Sequence, residues 1–215
     1  TSFAPDFHVA PEPLSPARLT YCLVSIDTSG IHPCALIWQY TLSKWHIADG
    51  MYGEEMVFEE FLDDVLIPTL TTRYPACDVL CVFDPANARD ARTAITPVDL
   101  IIERGYEAVP APTNRFRERV QACEILLNRR EKGSLLISPD MTLLIDALDG
   151  AYQYRKLKTA GIGTVYSGQP DKNKYSHWAD AFQYGALHIT TTTISDDMLS
   201  RARAIAANSF HRATR

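Results

Sequence analysis

A short apolar run near the middle of the chain constrains the fold more than any other segment. From Asp78 to Phe83 every side chain after the aspartate is apolar, and the run ends at Asp84-Pro85. A strand that is apolar on both faces is typical of the centre of an α/β sheet, where helices cover both sides. A second β-rich run, Tyr21 to Ile26, ends at Asp27. We expect these two strands to lie side by side, so that both aspartates emerge at neighbouring strand ends.

The rest of the chain alternates between strand-like and helical patterns. Further strand patterns cover 34–41, 45–51, 106–109 and 135–137, and a hairpin is expected over 152–166. Helical patterns cover 54–72, 86–104 after an initial loop, 117–131, 141–148, 175–188 and 196–210. The first three strands are separated by short breaks and predict an antiparallel meander, whereas the later strands follow helices. This order predicts an α/β fold with a central mixed sheet of five or more strands flanked by helices.

The two ends of the chain differ from its centre. Four prolines within residues 1–18 predict an extended linker or arm without helix or strand. The folded domain is expected over 19–193. Residues 194–215 are expected to form a C-terminal helix and a basic tail, because four arginines and no acid occur after position 198. The chain begins at Thr1 without an initiator methionine, so we expect it to be a piece of a longer polypeptide.

The composition argues against several classes of protein. No apolar run approaches the roughly 18 to 20 residues of a membrane span, and no secretory signal opens the sequence. The five cysteines are odd in number and irregularly spaced. This spacing argues against a disulfide framework and a zinc site and favours a reducing, intracellular compartment. The net charge of −5 does not by itself indicate nucleic-acid binding.

Basic residues are nevertheless concentrated in a few segments. Residues 115–132 carry six basic and three acidic side chains. Contacts to phosphate groups come mainly from such side chains and are largely independent of base sequence. The candidate DNA contacts are Arg115, Arg117, Arg119, Lys172 and Lys174. A solvated helix face is the alternative for each of them, and a structural role is a further alternative for Arg119.

A histidine and an aspartate three positions apart, His177 and Asp180, share one face of a predicted helix. Together with Asp27 and Asp84 they form the candidate catalytic set. Two divalent ions held by carboxylates can generate a nucleophile and neutralise charge on a phosphodiester, and Mg²⁺ and Mn²⁺ prefer such oxygen ligands. We expect Asp27 to bridge two ions, with Asp84 and Asp180 each holding one side. His177 is expected to bind a metal or to orient a water molecule or a phosphate.

Ordinary structural roles remain open for each of these residues taken singly. Asp27 precedes Thr-Ser-Gly and fits the first position of a turn, and Asp84 precedes a proline at a strand end. His177 alone is more typical of a histidine at the surface or satisfied in a core than of a metal-site residue. The combination of two strand-end aspartates with a helical His-x-x-Asp pair is what favours a metal site.

Several segments resemble, in order and spacing, the nuclease domain of the large terminase subunits of tailed bacteriophages. The segment 176–184, preceded by Lys-Asn-Lys at 172–174, is similar to the last motif of that family. The segments 25–30 and 82–86 are similar to its first-strand aspartate and its second acidic position, and 112–114 with 119–120 resembles the start of a following helix. The similarity extends from about Leu19 to Leu187. Ser25 and Ser29 stand where the family commonly has a glycine, which predicts a small shift of that loop.

This resemblance implies an RNase H-like, resolvase-type fold and a metal-dependent endonuclease that cuts double-stranded viral DNA concatemers during genome packaging. It implies that Asp27, Asp84 and Asp180 bind two Mg²⁺ or Mn²⁺ ions, with His177 beside them. The implied partners are double-stranded DNA, the portal protein, the small terminase subunit and an ATPase domain, without a membrane. The implied location is the host cytoplasm, transiently at the procapsid portal. No G-x-x-x-x-G-K-[ST] phosphate loop occurs in this sequence, so we expect the nuclease half alone, without ATP hydrolysis.

Two alternatives remain at this point. The first is a module that docks onto DNA or the portal and has little intrinsic cleavage activity. The second is a resolvase-like nuclease that acts on DNA junctions.

Overall fold

A mixed sheet of six strands forms the centre of the fold. The computed structural model describes residues 2–41, 44–88, 95–128, 135–152, 154–157, 165–170 and 173–192. The sheet strands are β1 (Tyr21–Asp27), β2 (Cys34–Thr41), β3 (Lys44–Tyr52), β4 (Asp78–Phe83), β5 (Glu107–Pro110) and β6 (Leu135–Ile137). They lie in the order β5-β4-β1-β2-β3-β6. β1, β2 and β3 form an antiparallel meander, whereas β4, β5 and β6 run parallel to the strands they pair with. The predicted mixed sheet and the pairing of β1 with β4 are thus confirmed.

Helices cover both faces of this sheet. They are α1 (Pro5–His8), α2 (Phe58–Phe61), α3 (Ile67–Arg73), α4 (Pro97–Glu103), α5 (Phe116–Leu127), α6 (Thr142–Asp146) and α7 (Ser176–Thr191). A π-helical turn joins α2 to α3, so one helical segment covers 58–73, whereas the prediction was 54–72 and residues 54–57 are not helical. The capping box of Thr96 and Asp99 begins α4, with Pro97 at its first position as predicted. Within the described ranges, no helix has both the length and the apolar character needed to cross a membrane.

The predicted hairpin exists as a separate two-stranded sheet of β7 (Tyr154–Leu157) and β8 (Val165–Pro170). Residues 158–164, which connect these two strands, lie outside the described residues. The helix predicted over 196–210 and the basic tail also lie outside them.

The core has two layers, one on each face of the sheet, and every residue of β1 is buried between them. Alternate side chains, such as Leu23 and Val24, enter two separate apolar clusters on opposite faces of the sheet. α5, α6 and α7 cover one face, and α2, α3 and α4 cover the other. α7 approaches the first face closely at Gly185, where a Cβ would lie 2.6 Å from the ring of Trp38. This close contact fixes α7 against β1 and β2.

The N-terminal arm differs from the sequence-based expectation. Residues 5–8 form one helical turn, so the prediction that 1–18 contains no helix is wrong. Pro5 stands at the start of the turn, where its fixed φ angle suits a helix. The buried ring of His8 stacks on Phe3 with centroids 5.4 Å apart, and its Nε2 lies 3.0 Å from the carbonyl oxygen of Leu127. The arm is therefore anchored to the end of α5.

Candidate active site

The two strand-end aspartates lie side by side at one edge of the sheet. In the parallel pairing of β1 with β4, Ile26 is the partner of Phe83, so Asp27 and Asp84 occupy the next position along each strand. Alternation of side chains turns both aspartates toward the face that α7 covers, because Leu23 and Val82 of that face precede them at even spacing. The topology thus brings together two carboxylates separated by more than fifty positions in the sequence.

Asp27 is buried and interacts with α7. Its Oδ1 accepts a hydrogen bond from the backbone N–H of Ser29 at 3.1 Å, and its Oδ2 lies 2.8 Å from Nδ1 of His177. A carboxylate can only accept, so Nδ1 carries the proton of this second bond. Asp27 therefore stabilises the turn that follows β1 and also binds His177. His177 also packs near the rings of His32 and Tyr52, at centroid distances of 5.8 and 6.0 Å.

Asp84 is held from two directions at the end of β4. Its Oδ1 accepts from the backbone N–H of Ala86 at 2.8 Å, and its Oδ2 accepts from Nδ2 of Asn114 at 3.2 Å. Asn114 lies just before α5, and its Oδ1 accepts a hydrogen bond from the hydroxyl of Tyr184 at 3.3 Å. The carboxylate at this strand end is thereby connected to α7.

Asp180 lies one helical turn after His177 on α7 and is 5% exposed. Its Oδ1 accepts a hydrogen bond from the Arg119 guanidinium of α5, with an Nη1–Oδ1 distance of 3.0 Å. The guanidinium also lies over the rings of Tyr184 and Phe116, at 5.0 and 5.7 Å from their centroids. Asp180 is thus paired with a buried cation that belongs to a different helix.

The three carboxylates also affect the pKa values of two neighbouring side chains. Burial, followed by the charges of Asp27 and Asp180, raises the pKa of the Cys34 thiol. Burial also raises the pKa of Tyr184, against the opposing influence of Arg119 and with further contributions from Asp84 and Asp180. Asp180 therefore acts on one group that Asp27 also affects and on one that Asp84 also affects.

The donor chemistry of this place fits a hard divalent cation, because carboxylate oxygens are the ligands that Mg²⁺ and Mn²⁺ prefer. The arrangement of these residues differs from that of an occupied metal site. Among the residues that the structure describes, no three histidine, cysteine, aspartate or glutamate side chains are grouped as they would be around a metal ion. In this arrangement His177 takes one oxygen of Asp27, and Arg119 takes one oxygen of Asp180.

The basic residues fall into two groups. Arg115, Arg117 and Lys174 are exposed, and the side chain of Arg115 is 82% exposed with a partner in Glu118 at 3.2 Å. Arg119 is only 9% exposed, so its surroundings are those of the buried site and not of an outer surface. Lys172 lies outside the described residues.

Sequence reasoning assigned no role to Tyr184, His32 or Tyr52, and none to Asn114 beyond its place in a motif. A tyrosine in an amphipathic helix is indistinguishable by pattern from any other core residue. Asn114 follows Pro-Thr immediately before a helix, which is the only local signal that it differs from a loop residue. These residues become meaningful only when α5 and α7 are placed against the ends of β1 and β4.

A cavity of about 220 Å³ lies elsewhere, between α5, α7 and the N-terminal arm. Its walls are mostly apolar and include Phe3, Phe116, Leu127 and Phe182. None of the three aspartates lines it, so the cavity does not define the candidate active site.

Comparison with known proteins gives a match of fold. No protein-family model matches the sequence, and no curated protein matches it. Among solved structures, the chain has the architecture of large terminase nuclease domains, which are RNase H-like, and the predicted fold class is thereby confirmed.

Three of these structures illustrate the match. The large terminase of the thermophilic bacteriophage D6E aligns with a TM-score of 0.64 at 16% identity, over 88% of this chain and 44% of that one. The nuclease domain of the P22 large terminase aligns with a TM-score of 0.60 at 10% identity, over 91% of this chain and 94% of that one. The large terminase nuclease of the thermophilic phage G20c with bound magnesium gives 0.55 at 11% identity, over 84% and 93%. This chain therefore spans less than half of the D6E terminase but nearly the whole of the two nuclease domains.

Proposed function

We propose that this chain is a divalent-metal-dependent endonuclease domain that cuts double-stranded DNA during viral genome packaging. The observation that carries the proposal is the placement of Asp27 and Asp84 at adjacent ends of β1 and β4, with Asp180 on the facing helix α7, one turn after the histidine that pairs with Asp27. The fold supports it, since terminase nuclease domains share this architecture, and the G20c nuclease has been solved with bound magnesium and with bound cobalt.

The three aspartates are proposed as the ligands of Mg²⁺ or Mn²⁺, with two ions at full occupancy. A bound divalent ion supplies charge neutralisation and an activated water molecule for phosphodiester hydrolysis. The protein's own part is to hold the carboxylates close together in a partly buried place. His177 orients Asp27 through its 2.8 Å hydrogen bond, and its second ring nitrogen serves a water molecule or a phosphate oxygen.

DNA is proposed to approach along the exposed basic residues near the site. Arg115 and Arg117 lie at the beginning of α5, directly after Asn114, and Lys174 lies just before α7. Lys172 is included on sequence grounds. Contacts of this kind position the phosphate backbone without reading bases, which suits an enzyme that cuts with little sequence preference.

The wider context is proposed from the terminase fold. A longer chain with an ATPase domain would act with the portal protein and the small terminase subunit in the host cytoplasm. The D6E terminase, of which this chain covers 44%, was solved in complexes with ADP and with ATP-γ-S, which supports a nucleotide-binding part outside the matched region.

The direct test is cleavage of supercoiled plasmid by the 215-residue chain in Mn²⁺ and in Mg²⁺. We expect nicked and linear products that disappear with excess EDTA and in Asp27→Ala and Asp84→Ala. Asp63→Ala is a matched control, because this carboxylate is exposed on the opposite helical layer and pairs with Arg104. Cleavage by Asp27→Ala at the wild-type rate, or cleavage in EDTA, contradicts the proposal. Faster cutting of four-way junctions than of linear duplex indicates the resolvase-like alternative instead.

One observation favours a second candidate, a docking module with little intrinsic cleavage. Asp180 is paired with Arg119, and Asp27 is paired with His177. Among the described residues, no three metal-binding side chains are grouped together. On this account the chain retains DNA or portal protein in a pull-down assay but does not cut DNA at any Mn²⁺ concentration. Metal-dependent cutting that Asp84→Ala abolishes excludes it.

A further inference from the structure

A continuous set of contacts links Asp84 to Asp180 through α5 and α7. Asn114 donates to Asp84 at 3.2 Å and accepts from the hydroxyl of Tyr184 at 3.3 Å. The ring of Tyr184 then lies under the guanidinium of Arg119, 5.0 Å from Cζ to the centroid, and Arg119 donates to Asp180 at 3.0 Å. Two carboxylates from different parts of the chain are therefore tied together by the side chains between them.

Arg119 is held firmly in this set. Its guanidinium lies within 6 Å of two aromatic rings, those of Tyr184 and Phe116, and the residue is 9% exposed. Cation–π contacts gain strength when the cation is removed from water. A guanidinium fixed in this way presents its N–H groups in a rigid plane, so it constrains the direction of the carboxylate that it binds.

The hydrogen bonds through Asn114 have a fixed polarity. An ionised carboxylate only accepts, so the amide nitrogen of Asn114 must face Asp84, and its oxygen is left to face Tyr184. The hydroxyl of Tyr184 donates to that oxygen at 3.3 Å. Both hydrogen bonds of Asn114 thus join a donor to an acceptor.

We propose that Arg119 and Tyr184 are positioning residues that fix Asp180 and Asp84 relative to each other for binding a divalent cation. This inference rests on the proposed function, because it assigns the two residues to the same metal site. Neighbouring carboxylates repel each other, and side chains that orient them lessen the reorganisation that cation binding requires. Residues that hydrogen-bond to metal ligands typically change metal affinity by about 10- to 100-fold when removed.

A cluster of the same composition provides matched controls. On the opposite face of the sheet, Arg73 pairs with Asp49 at 2.6 Å, and the hydroxyl of Tyr74 donates to the same carboxylate. Arg73→Met and Tyr74→Phe therefore make the same chemical changes as Arg119→Met and Tyr184→Phe at a place distant from the strand-end aspartates.

The experiment is a Mn²⁺ titration of the 215-residue chain, with free Mn²⁺ measured by electron paramagnetic resonance. We expect Arg119→Met to weaken Mn²⁺ binding by about 10- to 100-fold and Arg119→Lys to recover part of that loss. Tyr184→Phe is expected to weaken binding by a smaller factor. Arg73→Met and Tyr74→Phe are expected to bind Mn²⁺ within about twofold of wild type.

Three outcomes overturn the inference. Mn²⁺ affinity of Arg119→Met and Arg119→Lys equal to that of wild type means that the buried pair is structural only. Tighter binding by Arg119→Met means that the guanidinium competes with the cation. If Arg119→Met does not fold, Tyr184→Phe tests the same contacts, and unchanged affinity in that variant is again contradictory. These outcomes are distinguishable from failure of the proposed function, which is refuted instead if the wild-type chain has no Mn²⁺ site that Asp27→Ala removes.

Discussion

Two clusters of an aspartate, an arginine and a tyrosine lie on opposite faces of one sheet. Asp49 pairs with an arginine side chain that is 50% exposed, whereas Asp180 pairs with one that is 11% exposed. Asp49 belongs to β3, away from the strand ends, while Asp180 faces the ends of β1 and β4 with Asp27 and Asp84 nearby. The chemical composition of the two clusters is the same. Their difference indicates that the convergence of strand ends, and not the Asp–Arg–Tyr grouping, defines the candidate site.

The largest expected difference between the clusters is in DNA cleavage. Asp180→Asn removes a charged metal ligand while keeping its size, and metal ions contribute several kcal/mol to such reactions, so we expect a loss of about 10³-fold or more. Asp49→Asn should leave the cleavage rate within a factor of about two. Initial rates of plasmid cleavage in Mn²⁺ measure both. Equal effects of the two substitutions would show that the clusters are not functionally different.

The second difference concerns stability. Arg119→Met leaves Asp180 buried without its cation, and loss of one partner from a buried pair costs about 3 to 5 kcal/mol of unfolding free energy. Arg73→Met removes a half-exposed partner and should cost about 1 kcal/mol or less. Urea unfolding of both variants in EDTA measures these values without a contribution from metal. A smaller loss for Arg119→Met than for Arg73→Met contradicts the assignment of the buried pair.

His177 has no counterpart in the Asp49 cluster and gives an intermediate effect. Removal of its hydrogen bond to Asp27 frees a carboxylate that still has the backbone N–H of Ser29 as a partner. We expect His177→Ala to cut DNA about 10- to 100-fold more slowly than wild type, a milder defect than that of Asp180→Asn. The same plasmid assay provides the comparison. Equal, mild effects of His177→Ala and Asp180→Asn would indicate a structural pair without a metal ligand.

The smallest expected effect is the pH dependence of stability contributed by Asp49. Burial raises the pKa of this carboxyl above its ordinary value of 3.8, against the opposing effects of Tyr74 and Arg73. The folded protein then binds the proton more tightly than the unfolded chain, so this contribution to stability falls as pH rises from the unfolded pKa through the folded pKa. Asp49→Asn should therefore gain stability relative to wild type between pH 3 and pH 7 in urea unfolding. A relative loss over that interval contradicts the sign of the shift.

Much of the framework was predictable because it depends on local patterns. The apolar runs of β1 and β4, the Thr96-Pro97 helix start and the amphipathic pattern of α7 are all expressed within a few neighbouring residues. The adjacency of Asp27 and Asp84 followed from pairing two buried strands in parallel. These inferences needed no knowledge of how the helices pack.

The role of Arg119 was beyond local inference. In sequence it stands in a basic segment with Arg115 and Arg117, and its partner Asp180 lies 61 positions away. Only the packing of α5 on α7 separates a buried arginine from two exposed ones. Similarly, the prolines of the N-terminal arm suggested an extended segment, although Pro5 begins a helical turn whose buried last residue, His8, contacts the carbonyl oxygen of Leu127.

The central claim is that Asp27, Asp84 and Asp180 form one cation site. A crystal of the 215-residue chain soaked in Mn²⁺ tests it most directly through anomalous scattering. The account predicts anomalous peaks within about 2.5 Å of oxygens from these three carboxylates, and none at Asp49. Their absence from a fully soaked crystal in which the three carboxylates stay apart, or a peak at the Asp49 cluster instead, would contradict it.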